Sequence, residues 1–171
     1  MSRPARSTPT TTARRSRDVG SKRSAPHAKA KAAGGTPPRY APQLATLVKE
    51  PPVGDVWLHE LKYDGYRIGC RMAGGAIQLV SRNGKDWTER FSVVADAAAH
   101  LPVRSALLDG EVALLLPDGR TSFQALQNAF AGHPEGGEIL YFVFDLLYLD
   151  GEDLTALALE QRKQRLHRLL R

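Results

Sequence analysis

The feature that most limits what this chain can fold into is a compositional break at Pro37-Pro38. Residues 1–39 are built mainly from Arg, Ser, Thr, Ala and Pro, and Val19 is their only large aliphatic residue. Such a stretch has too little apolar surface to offset the entropy of ordering it, so it reads as a disordered tail. It carries ten Lys or Arg against one acid, Asp18, for a net charge of +9. Residues 40–171 carry 14 bases and 17 acids, a net of −3. The basic character of the chain therefore belongs to the tail, and residues 40–171 are the part that can build a core. An Arg-rich N-terminus also occurs in organelle transit peptides, but those need an apolar stripe that is absent here. A non-specific phosphate-binding arm and a plain solvated linker both remain open for this segment.

No apolar run approaches the roughly 18 residues of a membrane span. One cysteine, Cys70, excludes an internal disulfide and reads as a small apolar strand residue; a reducing, cytoplasmic setting fits it. Val56–Tyr63 reads as a strand. Tyr66–Met72 and Ala76–Arg82 flank Ala73-Gly74-Gly75, which is a hairpin signal. Thr88–Leu101 has Phe91, Val94, Ala98 and Leu101 at helical spacing. Leu107–Leu116 is a long apolar strand stopped by the turn sequence Pro117-Asp118-Gly119, and Phe123, Leu126 and Phe130 mark one face of a short helix. Ile139–Leu149 is the most apolar strand and closes at Asp150-Gly151. In the last segment Leu159, Leu166, Leu169 and Leu170 fall on one side of a helix and Arg162, Lys163, Arg165 and Arg168 on the other. Hairpins outnumber regular crossovers, which predicts an α+β domain with a mainly antiparallel sheet and flanking helices.

The stretch that points to chemistry is His59-Glu60-Leu61-Lys62-Tyr63-Asp64-Gly65-Tyr66-Arg67. On a strand, Glu60 and Lys62 share a face. By residue type alone Lys62 is a surface charge, while a nucleophilic reading needs groups that help its amine shed a proton. Arg67 is a candidate for that. Arg67 and Arg82 can equally be exposed arginines, Phe144 a core aromatic and Trp87 a packing residue. His59, His100, His133 and His167 show no metal-like spacing.

Lys62-x-Asp64-Gly65-x-Arg67 resembles the active-site signature of the covalent nucleotidyltransferases, which include ATP-dependent DNA ligases, RNA ligases and mRNA capping enzymes. Three further stretches resemble later blocks of that family, in its order: Ser81–Thr88, Leu107–Val112 and Tyr141–Tyr148. Pro42–Leu47 and the detailed wording are most similar to the ligase domain of the bacterial end-joining ligase D group. The resemblance covers about residues 40–171 and implies part of an ATP-grasp-like nucleotidyltransferase domain. It implies that Lys62 attacks the α-phosphate of ATP and holds AMP, and that Glu60 contacts ATP. Arg67 and Arg82 would lie near ribose and phosphates, a chemistry that suits guanidinium forks. Glu111 would meet the ribose or a catalytic magnesium, with Asp109 on the same strand face as the second choice. Phe144 would stack on adenine.

ATP and Mg2+ are the implied cofactors and nicked or broken DNA is the implied substrate, with an end-joining accessory protein as a possible partner and the bacterial cytoplasm, at the nucleoid, as the setting. The family's later metal-binding glutamate, its paired phosphate-binding lysines and its OB-fold domain do not occur before Arg171. The resemblance thus implies the front part of the domain, and predicts that this chain alone does not seal nicks. An RNA ligase or capping enzyme, or a non-catalytic nucleic-acid-binding protein, is the alternative.

Overall fold

The computed structural model of the chain describes residues 35–133 and 136–171. The disordered tail expected over residues 1–39 lies outside it for 1–34, while its last residues, 35–39, belong instead to ordered chain, with Pro37 buried and its carbonyl bonded by Arg71. Tyr66–Ala73 (β1) and Ala76–Ser81 (β2) form a hairpin in which Ala73 pairs with Ala76. The two turn residues, Gly74 and Gly75, have φ of 58° and 85°. Two successive left-handed residues give the turn whose twist matches paired strands, and glycine takes it without steric cost. Ser92–Ala98 (α1), Ser105–Leu115 (β3), Phe123–Phe130 (α2), Glu138–Leu149 (β4), Glu152–Asp153 (β5) and Leu159–Leu169 (α3) follow. The strands make one antiparallel sheet in the order β2-β1-β3-β4-β5, the α+β architecture that the pattern predicts.

Strand side chains alternate between faces, and here each face has its own task. Ile68, Cys70 and Met72 of β1 and Ala106, Leu108, Val112 and Leu114 of β3 are buried with Val94 and Ala98 of α1, Ala125 and Leu126 of α2, and Leu166 of α3. Cys70 belongs to this core, and burial pushes its thiol up to about 12. The residues between them, Arg67, Gly69 and Arg71 on β1 and Leu107, Asp109 and Glu111 on β3, occupy the other face. An extended strap that includes residues 35–44 crosses that face. Pro37 is already buried in it, Arg71 Nε donates to the Pro37 carbonyl at 3.2 Å, and Tyr40 packs with Leu107 and Tyr148.

Three further expectations change. Val56–Tyr63 is not a strand: it joins no ladder, and Val56 and Leu61 are 90% and 80% exposed. Its apolar and β-favouring residues mimic a strand, but β1 already pairs with β2 on one edge and β3 on the other, which leaves it no partner there. The first helix starts at Ser92 rather than Thr88, because local polar bonds hold the preceding turn. Thr88 accepts from the Leu79 N–H at 2.9 Å, and Asp86 accepts from both the N–H and the hydroxyl of Thr88. On the apolar side of the last helix Leu166 is buried but Leu170, just past the end of α3, is exposed, and on the other side Arg162, Lys163 and Arg165 are engaged in ion pairs. By contrast, α2 starts where a polar cap allows it, with Ser122 Oγ accepting from the Ala125 N–H at 3.1 Å.

Leu126 is fully buried where α2 meets the sheet. Leu126→Ala should destabilise the chain by about 2–5 kcal/mol, the usual cost of a buried cavity of this kind. The exposed Val93→Ala should cost less than about 0.5 kcal/mol. Urea unfolding of the two variants checks the pair.

Candidate functional site

Lys62 lies outside the sheet, so tethers rather than a ladder must position it. Gly65 runs so close to β3 that a Cβ there would collide with the Val112 carbonyl; only glycine fits. Asp64 ties the segment to the start of α2: its N–H donates to Thr121 Oγ1 at 3.0 Å and its carboxylate accepts from the Phe123 N–H at 3.3 Å. The Tyr63 ring stacks on Phe142 of β4 with centroids 3.9 Å apart. Glu60 pairs with Lys163 of α3, whose ammonium also donates to the Phe144 carbonyl at 2.5 Å. Between these tethers the Lys62 amine is free in solvent, 4.0 Å from Asp64 Oδ1, with its side chain 88% exposed.

The segment borders a cleft of about 730 Å³, within the size range of small-molecule sites. Glu60, Lys62, Arg67, Glu111 and Phe144 all line it, together with Gln43 and Leu44 of the strap. Five of the six residues singled out from the sequence therefore meet at one place. The sixth, Arg82, lines an adjoining depression of about 650 Å³ with Lys85 and Trp87; Arg67 and Glu111 border both. Glu60 and Lys62 do border the same space, although strand alternation is not the reason.

Arg67 and Glu111 are register partners across β1 and β3. The guanidinium of Arg67 grips Asp109, with Nε to Oδ1 at 3.1 Å and Nη2 to Oδ2 at 2.7 Å, and Nη1 donates to the Gln43 carbonyl at 2.8 Å. Tyr40 donates its hydroxyl to the same Oδ1 at 2.8 Å. Asp109 is thus consumed by structure, and Glu111 is the carboxylate left to face the cleft. Burial raises the Glu111 carboxyl above its ordinary range, opposed by the charge of Lys62, the Gly65 N–H and the charge of Arg67.

Phe144 reaches the cleft through an irregularity that no periodicity announces. Along β3, Asp109 pairs with Asp145 but Gly110 pairs with Val143, so Phe144 has no partner; Leu147 is skipped in the same way between Leu146 and Tyr148. Bulges of this kind re-aim side chains and gather at functional sites. Both bulged residues line the cleft. The Arg67 guanidinium carbon stands 5.4 Å from the centroid of the Phe144 ring.

Sequence reasoning missed Tyr40, Asp145, Arg162 and Lys163. Asp145 receives a two-pronged pair from Arg162, with both nitrogens at 2.9 Å. The available signal was Asp145 itself, since a carboxylate in so apolar a strand needs a cationic partner.

Because ionising Glu111 is harder in the fold than in the unfolded chain, this group takes stability away as pH rises through its titration. Glu111→Gln should therefore melt higher than the parent chain near neutrality. The difference should vanish as pH falls below the unfolded glutamate value of about 4.3. Thermal melts from pH 4 to 8 check the sign.

A model of the ATP-dependent DNA ligase domain matches residues 42–171. The multifunctional non-homologous end joining protein LigD of Pseudomonas aeruginosa is 49% identical over 147 residues, which cover 85% of this chain and 17% of that protein. The crystal structure of the ligase domain from Mycobacterium tuberculosis LigD superposes with a TM-score of 0.57 at 33% identity, covering 65% of this chain and 36% of that one. A mycobacterial DNA ligase D complexed with ATP and MES gives a TM-score of 0.54 at 32% identity, with the same coverage. The chain thus spans well under two thirds of the length of these relatives. The family's match runs through every element of the sheet and both walls of the cleft, and the chain belongs to the ATP-dependent DNA ligase domain family.

Proposed function

We propose that this chain provides the nucleotide cleft and the nucleophile of an ATP-dependent DNA ligase of the bacterial end-joining type. The observation that carries this reading is the meeting of Lys62, Arg67, Glu111 and Phe144 around one cleft, with the lysine on a tethered segment at its border. In this reading Phe144 offers an aromatic face to adenine, and the guanidinium of Arg67 offers donors to ribose or phosphate oxygens. The unprotonated Lys62 Nζ attacks the α-phosphorus of ATP. The bond from that phosphorus to the bridging oxygen breaks, pyrophosphate leaves, and AMP remains on the lysine as a phosphoramidate. In the whole enzyme the AMP then passes to a DNA 5′-phosphate, and the 3′-hydroxyl of the neighbouring strand displaces it.

The donor set suits magnesium delivered with the nucleotide. Among the described residues no three His, Cys, Asp or Glu cluster to hold a metal on their own. Glu111 is the one cleft carboxylate of the sheet that is not spent on an arginine. Magnesium is commonly held by one or two carboxylates plus phosphate oxygens and water, and it would neutralise phosphate charge there. Arg82 and Lys85, in the adjoining depression, are assigned to phosphates further along the substrate. No helix of the described residues is long and apolar enough to cross a membrane. From the ligase reading, not from that absence, we place the protein on DNA in the bacterial cytoplasm. An end-joining accessory protein is the partner this reading implies.

The decisive experiment incubates the chain with ATP labelled in the α-phosphate and magnesium, followed by peptide mapping. Label is expected on Lys62, lost in Lys62→Ala and not restored by Lys62→Arg, because a guanidinium stays protonated. Label that survives in Lys62→Ala overturns the assignment. A second expectation concerns DNA. Residues 1–34 hold nine of the Lys and Arg and a single acid, whereas residues 40–171 are net acidic. Deleting 1–34 should remove most non-specific duplex affinity, and the affinity of the full chain should fall steeply with salt as counterions are released. Titrations by fluorescence anisotropy at several salt concentrations measure both effects.

A further inference from the structure

The strap supplies a residue to the site that no motif contains. Tyr40 is 6% exposed, and its ring fills the space that Gly69 leaves open, where any Cβ would strike it. Its hydroxyl bonds a carboxylate that already grips Arg67, so strap, β3 and β1 are joined through one oxygen, Asp109 Oδ1. A second link closes the ring: Arg67 Nη1 returns to the strap at the Gln43 carbonyl, three residues beyond Tyr40. A guanidinium has five N–H groups, and three of those in Arg67 are fixed by these bonds. The two that remain, one on each terminal nitrogen, are the only ones it can offer to a ligand.

The geometry points to Tyr40 as a positioning residue for nucleotide binding and lysine adenylation, acting through Asp109 to fix the direction of the two free Arg67 donors. This inference rests on the reading of the cleft as a nucleotide site. The cost of misdirecting a charge-assisted donor is felt at the ligand, whereas a tyrosine that only filled space would be replaced by phenylalanine without loss. Burial and the charge of Asp109 hold the Tyr40 hydroxyl well above the ordinary phenol range, which favours its protonated, donating form. Asp109 in turn reinforces the charge of Arg67 against the cost of burying it.

The test uses the full chain and two independent readouts. The first needs no catalysis: solvent exchange of the Arg67 Nε–H, followed by NMR in nitrogen-labelled protein. Tyr40→Phe keeps the ring and should speed this exchange about fivefold, the change expected from losing one hydrogen bond. Tyr148→Phe, which removes a hydroxyl from the same cluster without touching Asp109, should leave it unchanged. The second readout is the rate at which label from ATP reaches Lys62. Tyr40→Phe should slow it about tenfold in the parent chain, yet have little effect in an Arg67→Lys background, since residues acting as one unit are non-additive. Unaltered Nε–H exchange in Tyr40→Phe, or equal slowing in both backgrounds, overturns the positioning role. If the parent chain neither binds ATP by calorimetry nor takes label on Lys62, the reading of the cleft fails, while the exchange measurement still decides the coupling of Tyr40 to Arg67.

Discussion

Asp109 is a carboxylate with 4% of its side chain exposed, set in the middle of the strand that the rest of the sheet is built around. A charge that deep in a protein is tolerated only with a full set of partners, and removing one partner from such a pair commonly costs about 3–5 kcal/mol. Much of the arrangement around the cleft follows from meeting that demand. Arg67 must stand diagonally across on β1 and give two donors, Tyr40 must reach in from the strap with a third, and the strap must lie where Gly69, opposite Asp109, leaves room for it. The result is an arginine that enters the cleft already oriented, and a wall of the cleft that cannot drift from the sheet. The same carboxylate, so occupied, leaves Glu111 two residues away as the one whose charge is available for other work.

Glycines serve the same end by omission. Gly65 lets the lysine segment touch β3, Gly69 admits the Tyr40 ring, and Gly110 makes space for the Tyr141 ring, whose hydroxyl bonds the Ile68 carbonyl at 2.8 Å. Each replaces a side chain with a neighbour's backbone or ring. In Lys62-Tyr63-Asp64-Gly65-Tyr66-Arg67, the aspartate and glycine are thus explained by packing and tethering, while the lysine and arginine are the residues the proposed chemistry would use.

What could be read in the sequence follows the same division. Period-two apolar residues and Gly-Gly or Asp-Gly turns located β1, β2, β3 and β4, because those signals are local. Lys62, Arg67, Glu111 and Phe144 were legible through a resemblance, since short motifs keep their spacing even where geometry is hidden. The false strand at Val56–Tyr63 arose because apolar and β-favouring composition says nothing about whether a neighbouring edge is free. The bulges at Phe144 and Leu147 were invisible because they are properties of the pairing between β3 and β4, not of either strand. Tyr40 was invisible for a similar reason: its partner lies 69 residues away.

The lysine's place outside the ladder carries a consequence for motion. Displacing a residue of the inner strands β1, β3 or β4 breaks ladder bonds to neighbouring strands, so the middle of the sheet opens at a higher free energy than a segment outside the ladder. The segment around Lys62 is held instead by a ring stack, one ion pair and two bonds at Asp64. Those can be released a few at a time, on the timescale of loops rather than of unfolding. On the reading proposed above, Lys62 must approach a phosphorus and later hand over what it holds, and such an attachment lets it swing while Arg67 and the Phe144 ring stay still.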